Sequence, residues 1–73
     1  MTPAEYREVI AALGLTQRAS ARFLGVDERN VRRWIAGESA IPRPVILLLR
    51  YMLRNSLTPE AVLKACEIRA DPS

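Results

Sequence analysis

The sequence predicts an all-α fold, a compact five-helix domain spanning residues 1–73. Cap and breaker residues divide the chain into five short segments, and apolar residues recur at helical spacing within them. No segment keeps the apolar/polar alternation of a strand between hairpin turns. With 73 residues there is room for a single small domain. A chain of that size hides only about 60 % of the surface it exposes when unfolded, so its core is thin. The apolar fraction, 49 %, is nevertheless that of a globular chain.

Each element has a local reason. Thr2-Pro3-Ala4-Glu5 joins an N-cap Thr, Pro at the first helical position and Glu at N3, which is a capping box. Behind it Tyr6, Val9, Ile10 and Leu13 fall at i, i+3, i+4 and i+7, predicting a helix over 3–13 that Gly14 ends. Thr16 caps a second helix over 17–24, which stops at Gly25. Only Gly25-Val26 separates it from Asp27, the cap of a third helix over 28–36 that closes at Gly37. Two short helices with so brief a hinge cross at a large angle, the helix-turn-helix plan. Ile41-Pro42-Arg43-Pro44 is a stiff extended lead-in to a fourth helix over 44–55. With Val45, Ile46, Leu47, Leu48, Leu49, Met52 and Leu53, that helix is apolar on most sides and is expected to be the most buried element. Thr58-Pro59-Glu60 repeats the cap, Pro and acid pattern and opens a fifth helix over 59–70.

Composition removes several function classes. There is one cysteine and no histidine. A lone Cys makes no internal disulfide, which suits a reducing cytoplasm. Without His or a Cys pair, the usual zinc sites and every His-based triad are excluded, so no metal, no cofactor and no enzymatic chemistry are expected. Val45-Ile46-Leu47-Leu48-Leu49 is the longest strictly apolar run, far below the roughly 20 residues of a membrane span. The first residues lack the basic-then-apolar plan of a secretory signal. A cytoplasmic chain with no membrane partner is the expectation. Cys66, among Val62, Leu63, Ala65 and Ile68, reads as a small buried hydrophobe. Lys64 has no evident desolvating pocket for a Schiff-base role, and Glu5 and Glu8 read as solvated carboxylates.

The net charge is +3, but it is unevenly placed. Residues 16–54 hold eight Arg against three acids, Asp27, Glu28 and Glu38, a balance of +5, while the remainder carries −2. All but one of the cations are Arg, the planar forked donor suited to phosphates and to the guanine edge. Either a polyanion partner or a solvated helix surface fits that balance. Arg50 and Arg54 read as solvated surface, or as an extension of the positive rim.

The third helix separates these readings. At about 100° per residue, Glu28, Arg32, Ala36, Arg29 and Arg33 share one half of its circumference, while Asn30, Trp34, Val31 and Ile35 share the other. Val31, Trp34 and Ile35 thus anchor the helix and leave an arginine face outward. A merely solvated face usually mixes Lys and Glu at i, i+4; Glu28–Arg32 offers one such pair, but Arg29 and Arg33 stack like charges. Such stacking opposes the helix by a few tenths of a kcal/mol, which a polyanion relieves.

Leu15-Thr16-Gln17, Ala21-Arg22-Phe23-Leu24-Gly25-Val26-Asp27 and Val31-Arg32-Arg33-Trp34-Ile35-Ala36-Gly37 together resemble the phage-repressor and Cro-type (XRE) helix-turn-helix family. The similarity covers roughly residues 4–70 and includes Ile41-Pro42-Arg43-Pro44 before an apolar helix. It implies a lambda-repressor-like fold and sequence-specific binding of double-stranded DNA by a small transcriptional regulator. By the same resemblance the third helix lies in the major groove, with Glu28, Arg29, Arg32 and Arg33 as readers of bases or phosphates. Gln17 then holds a backbone phosphate beside free helix N–H groups, and Arg43 contacts the backbone or minor groove. Ala21, Gly25, Val31, Trp34 and Ile35 are the positions that set the recognition helix.

Three departures matter. Ser20 stands where the family has a large apolar residue, which predicts looser or shifted packing of the second helix. Ile35 replaces a Glu whose usual partner is an Arg in the first helix; here Ile10 corresponds, so an apolar Ile10–Ile35 contact is expected in place of an ion pair. Glu28 repels phosphates unless it meets a cytosine or pairs with Arg32. The fifth helix shows apolar stripes at Ala61/Ala65/Ile68 and Val62/Cys66. One of these, with Leu57, is expected to make a homodimer contact, as a single small module offers limited specific area. The alternative is a protein-interaction adaptor or antitoxin-like partner binder, which a large exposed apolar patch on the fourth or fifth helix would favour.

Overall fold

The computed structural model describes residues 1–67. They form α1 (Pro3–Ala12), α2 (Gln17–Leu24), α3 (Glu28–Ile35), α4 (Arg43–Arg54) and α5 (Pro59–Cys66), with no strand among the described residues. The capping box is formed: Glu5 N–H donates to Thr2 Oγ1 (3.1 Å) and Thr2 N–H to Glu5 Oε1 (3.0 Å). Those Thr2 hydrogen bonds, its backbone N–H foremost, hold the Glu5 carboxyl below its ordinary range. Thr16, Asp27 and Thr58 likewise cap α2, α3 and α5 through their side chains. The part of the fifth helix expected over 68–70, and Ile68 with it, lies outside the described residues.

The sharp α2–α3 turn rests on Gly25. Its φ of +71° lets Gly25 N–H reach Arg22 O (3.2 Å) and Val26 N–H reach Ala21 O (3.0 Å), the paired bonds of a Schellman cap. A Cβ there would meet nothing within 4 Å, so the position requires the dihedral and not the space. The same cap ends α4 without a glycine: Ser56 takes φ +53° while Leu57 N–H bonds Met52 O (2.9 Å). A left-handed L-residue costs about 1–2 kcal/mol.

The first helix is the hub. It packs against α2, α3 and α4, and the α2–α3 contact is the most extensive in the domain. Tyr6 and Ile10 from α1, Ala21 from α2, Val31 and Trp34 from α3, Ile41 and Leu49 form the buried cluster. At its centre the Tyr6 hydroxyl lies 2.8 Å from Ser20 Oγ, and Ser20 Oγ donates to Gln17 O at 2.7 Å. The serine proton is committed to that carbonyl, so the phenol is the donor to Ser20. Burial pushes the Tyr6 hydroxyl above its ordinary pKa of 10.0, so it stays a donor throughout the neutral range. The Tyr6 and Trp34 rings meet edge to face, centroids 5.8 Å apart at 75°.

Several expectations change. Ser20 is not a loose point of α2: it is fully buried and satisfied, donating to Gln17 O and bonded to the polar tip of Tyr6. Ile10 is buried and Ile35 packs half-buried on the same cluster. The fourth helix is not the most buried element: Leu49 and Met52 are sealed, but Leu47, Tyr51 and Leu53 are exposed, since α4 packs chiefly on α1 and its outer side is uncovered. It also begins one residue early, at Arg43, because Pro44 fits the first turn where no N–H acceptor is needed. Arg50 is an exposed surface residue with one loose ion pair, its guanidinium lying 3.7 Å from Glu5. Cys66 is exposed and not a core residue. The first turns of α5 face α2 across a cavity lined by Leu15, Ala19, Phe23, Pro59 and Leu63, and Cys66 falls beyond it.

The Tyr6–Ser20 bond makes an asymmetric prediction. Ser20→Ala leaves a buried phenol without an acceptor and is expected to lower stability by about 1–3 kcal/mol, whereas Tyr6→Phe leaves Ser20 bonded to Gln17 and is expected to lower it by about 1 kcal/mol. The double variant should lose less than the sum, read from urea unfolding. Equal, additive losses would contradict the bond.

Candidate nucleic-acid interface

The third helix is fixed from behind and open in front. Asp27 Oδ1 accepts the Arg29 N–H at 2.9 Å and sets the start of the helix. Val31 is fully buried and Trp34 nearly so, while Ile35 is half-buried. Arg29, Arg32 and Arg33 are all exposed, and Glu28 is half-buried at the first position. Among the described residues none of those three guanidiniums has an ion-pair or hydrogen-bond partner, and the Glu28–Arg32 pair is not formed. An exposed pair of that kind is worth only about 0.3–0.5 kcal/mol against the entropy of holding two long side chains. Asn30 is exposed too, although the helical wheel sets it on the anchored half.

Electrostatics along α3 is unfavourable at one end. Arg32 and Arg33 lie in the last turn, where the helix dipole favours cations. Arg29 lies in the first turn, where the dipole opposes it, and it repels Arg33 at i+4. Asp27 and Glu28, the carboxylates at the same end, lie beside Arg29, while the Arg29–Arg33 repulsion has no side-chain partner to relieve it among the described residues.

The start of α2 offers a second group of donors. Thr16 Oγ1 takes the Ala19 N–H (3.0 Å) and Thr16 O takes that of Ser20 (2.8 Å). The amides of Gln17 and Arg18 have no acceptor among the described residues and can meet an anionic oxygen. Gln17 is half-buried, and beside it Arg18 is exposed, a cation missed as an individual contact although it contributes to the +5 segment. Ala21 is buried at mid-helix and Gly25 forms the turn. Gln17 and the arginines of α3 belong to two helices that pack against each other. Arg43 is exposed at the start of α4. No group of three His, Cys, Asp or Glu residues among those described is placed to hold a metal ion. No helix there is long and apolar enough to cross a membrane.

Over 44 residues the chain is 48 % identical to the transcriptional repressor protein KorC of Escherichia coli. The match covers 56 % of this chain and 52 % of the relative, so the chain spans about half the length of the curated relative it matches. No family model matches the chain, and no solved structure matches it.

The unfavourable position of Arg29 is measurable without any ligand. Arg29→Ala is expected to raise stability by about 0.5 kcal/mol, with Arg33→Ala nearly neutral because it also gives up a favourable dipole contact. Thermal unfolding at low salt reads both; a loss above about 1 kcal/mol in Arg29→Ala would mean the side chain has a structural role.

Proposed function

We propose that this chain is a helix-turn-helix DNA-binding domain of the phage-repressor and Cro type, serving a small repressor of transcription. The observation that carries the reading is the set of three partnerless guanidiniums on α3, backed by Val31 and Trp34. The similarity to a transcriptional repressor supports it independently. In this reading α3 enters the major groove and presents Arg29, Arg32 and Arg33 to guanine edges or phosphates, with Glu28 accepting from a cytosine amine. Gln17 and the open amides at the start of α2 bind a backbone phosphate, Arg18 adds charge there, and Arg43 contacts backbone or minor groove. The mechanism is occupation of a site, without metal, cofactor or covalent step, inside the cytoplasm.

Two copies would bind half-sites about one helical turn (~10 bp) apart. The homodimer contact is assigned to Leu57 and the fifth helix, where Ala61, Ala65 and Cys66 face outward. The adaptor alternative is favoured by one observation, the uncovered apolar side of α4, which is taken up below as an additional property.

Selection of duplexes from a random pool, followed by anisotropy titration, tests the proposal. Wild-type chain is expected to retain duplex near ~50 mM salt, with log K falling by about 0.9 per phosphate contact for each unit of log salt. Arg29→Ala with Arg33→Ala should abolish retention while the variant stays folded. Absence of binding across the pool, or unaltered binding by the double variant, contradicts it.

A further inference from the structure

Among the described residues the three large apolar side chains that stay exposed all belong to α4: Leu47 (57 %), Tyr51 (60 %) and Leu53 (40 %). Leu47 and Tyr51 are i, i+4 and lie side by side on the outer face. Arg50 and Arg54, also i, i+4, run beside them, and Arg43 sits one turn before Leu47. An open cleft of about 410 Å³ lies between Arg50, Leu53 and Arg54. The helix carries three arginines and no acid; its one ion pair among the described residues is the loose contact from Arg50 to Glu5. Arg54 has no partner among the described residues.

Charge decides what fits this face. Two copies joined antiparallel across it by a two-fold axis would set the arginine edge of one helix against that of the other, which opposes association. A nucleic-acid duplex, its bases stacked inside, satisfies the arginines but gains little from Leu47 and Tyr51. A protein segment with carboxylates flanking apolar anchors satisfies both, and Tyr and Arg are the residue types that dominate binding energy at interfaces.

We propose that the outer face of α4 is a docking site for an acidic, amphipathic protein segment, Leu47 and Tyr51 receiving its apolar anchors and Arg50 and Arg54 its carboxylates. Docking there does not depend on duplex binding by α3. A fluorescein-labelled helical peptide with Leu at i and i+4 flanked by Glu is the probe, compared with versions carrying Lys for Glu or Ala for Leu. The Glu/Leu peptide is expected to bind the full chain, and the two controls are not. Leu47→Ala with Tyr51→Ala, and separately Arg54→Glu, should weaken it at least about tenfold with unchanged thermal unfolding. Arg29→Ala with Arg33→Ala should leave it intact. The proposal is overturned if the Glu/Leu peptide fails to bind, or binds regardless of Leu47 and Tyr51. It is equally overturned if the chain sediments as a dimer that Leu47→Ala dissociates, or if the Leu47, Tyr51 variant loses duplex instead.

Discussion

Three helices meet at one side chain. Tyr6 projects from α1, hands its hydroxyl proton to Ser20 of α2 and sets its ring edge to face against Trp34 of α3. An aromatic pair of this kind adds about 0.5–1.5 kcal/mol beyond area burial, a sizeable share of what so small a core can supply. It also fixes orientation. The polar tip has one acceptor and the ring has one partner, so rotating α2 or α3 breaks a directional contact as well as a packing one. Every feature of the arginine face depends on that constraint, because α3 has only eight residues and could not hold itself in place.

What the constraint holds in place is locally unfavourable. A cation in the first turn of α3 with a like charge four residues on weakens the helix a little, and Asp27 and Glu28 are the carboxylates beside it. The back of the same helix is among the best-sealed surfaces of the domain. Local disagreement in front and full agreement behind is the pattern of a surface shaped for a partner and not for the fold. Outer α4 shows a related pattern with apolar groups, left uncovered where the rest of the chain buries them.

The secondary structure was legible because four of the five helices announce themselves with a cap, Thr2, Thr16, Asp27 and Thr58 all capping as their side chains suggest, and α4 opens on prolines instead. The arginine face was legible too, since periodicity alone separates it from Val31 and Trp34. What could not be read was anything requiring a neighbour. Ser20 looks like a packing defect until Tyr6 is known to lie across from it. A run of leucines on α4 promises burial, yet burial needs a covering element, and among the described residues α1 is the chief one there. Cys66 follows the apolar stripe of α5 and still ends in solvent, because the helix outruns the surface it packs on. Arg18 was hidden for the opposite reason, being one cation among several with no helical pattern to distinguish it.

Since Trp34 is the sole tryptophan, its exposure reports directly on whether α3 is seated. Acrylamide quenching of its fluorescence, on chain shown to be helical by circular dichroism, is the most direct measurement. A seated helix requires an indole shielded in the native chain, with quenching that rises to the free-indole level only as the chain unfolds. An indole quenched freely in the folded, helical chain would mean that nothing holds the arginine face outward.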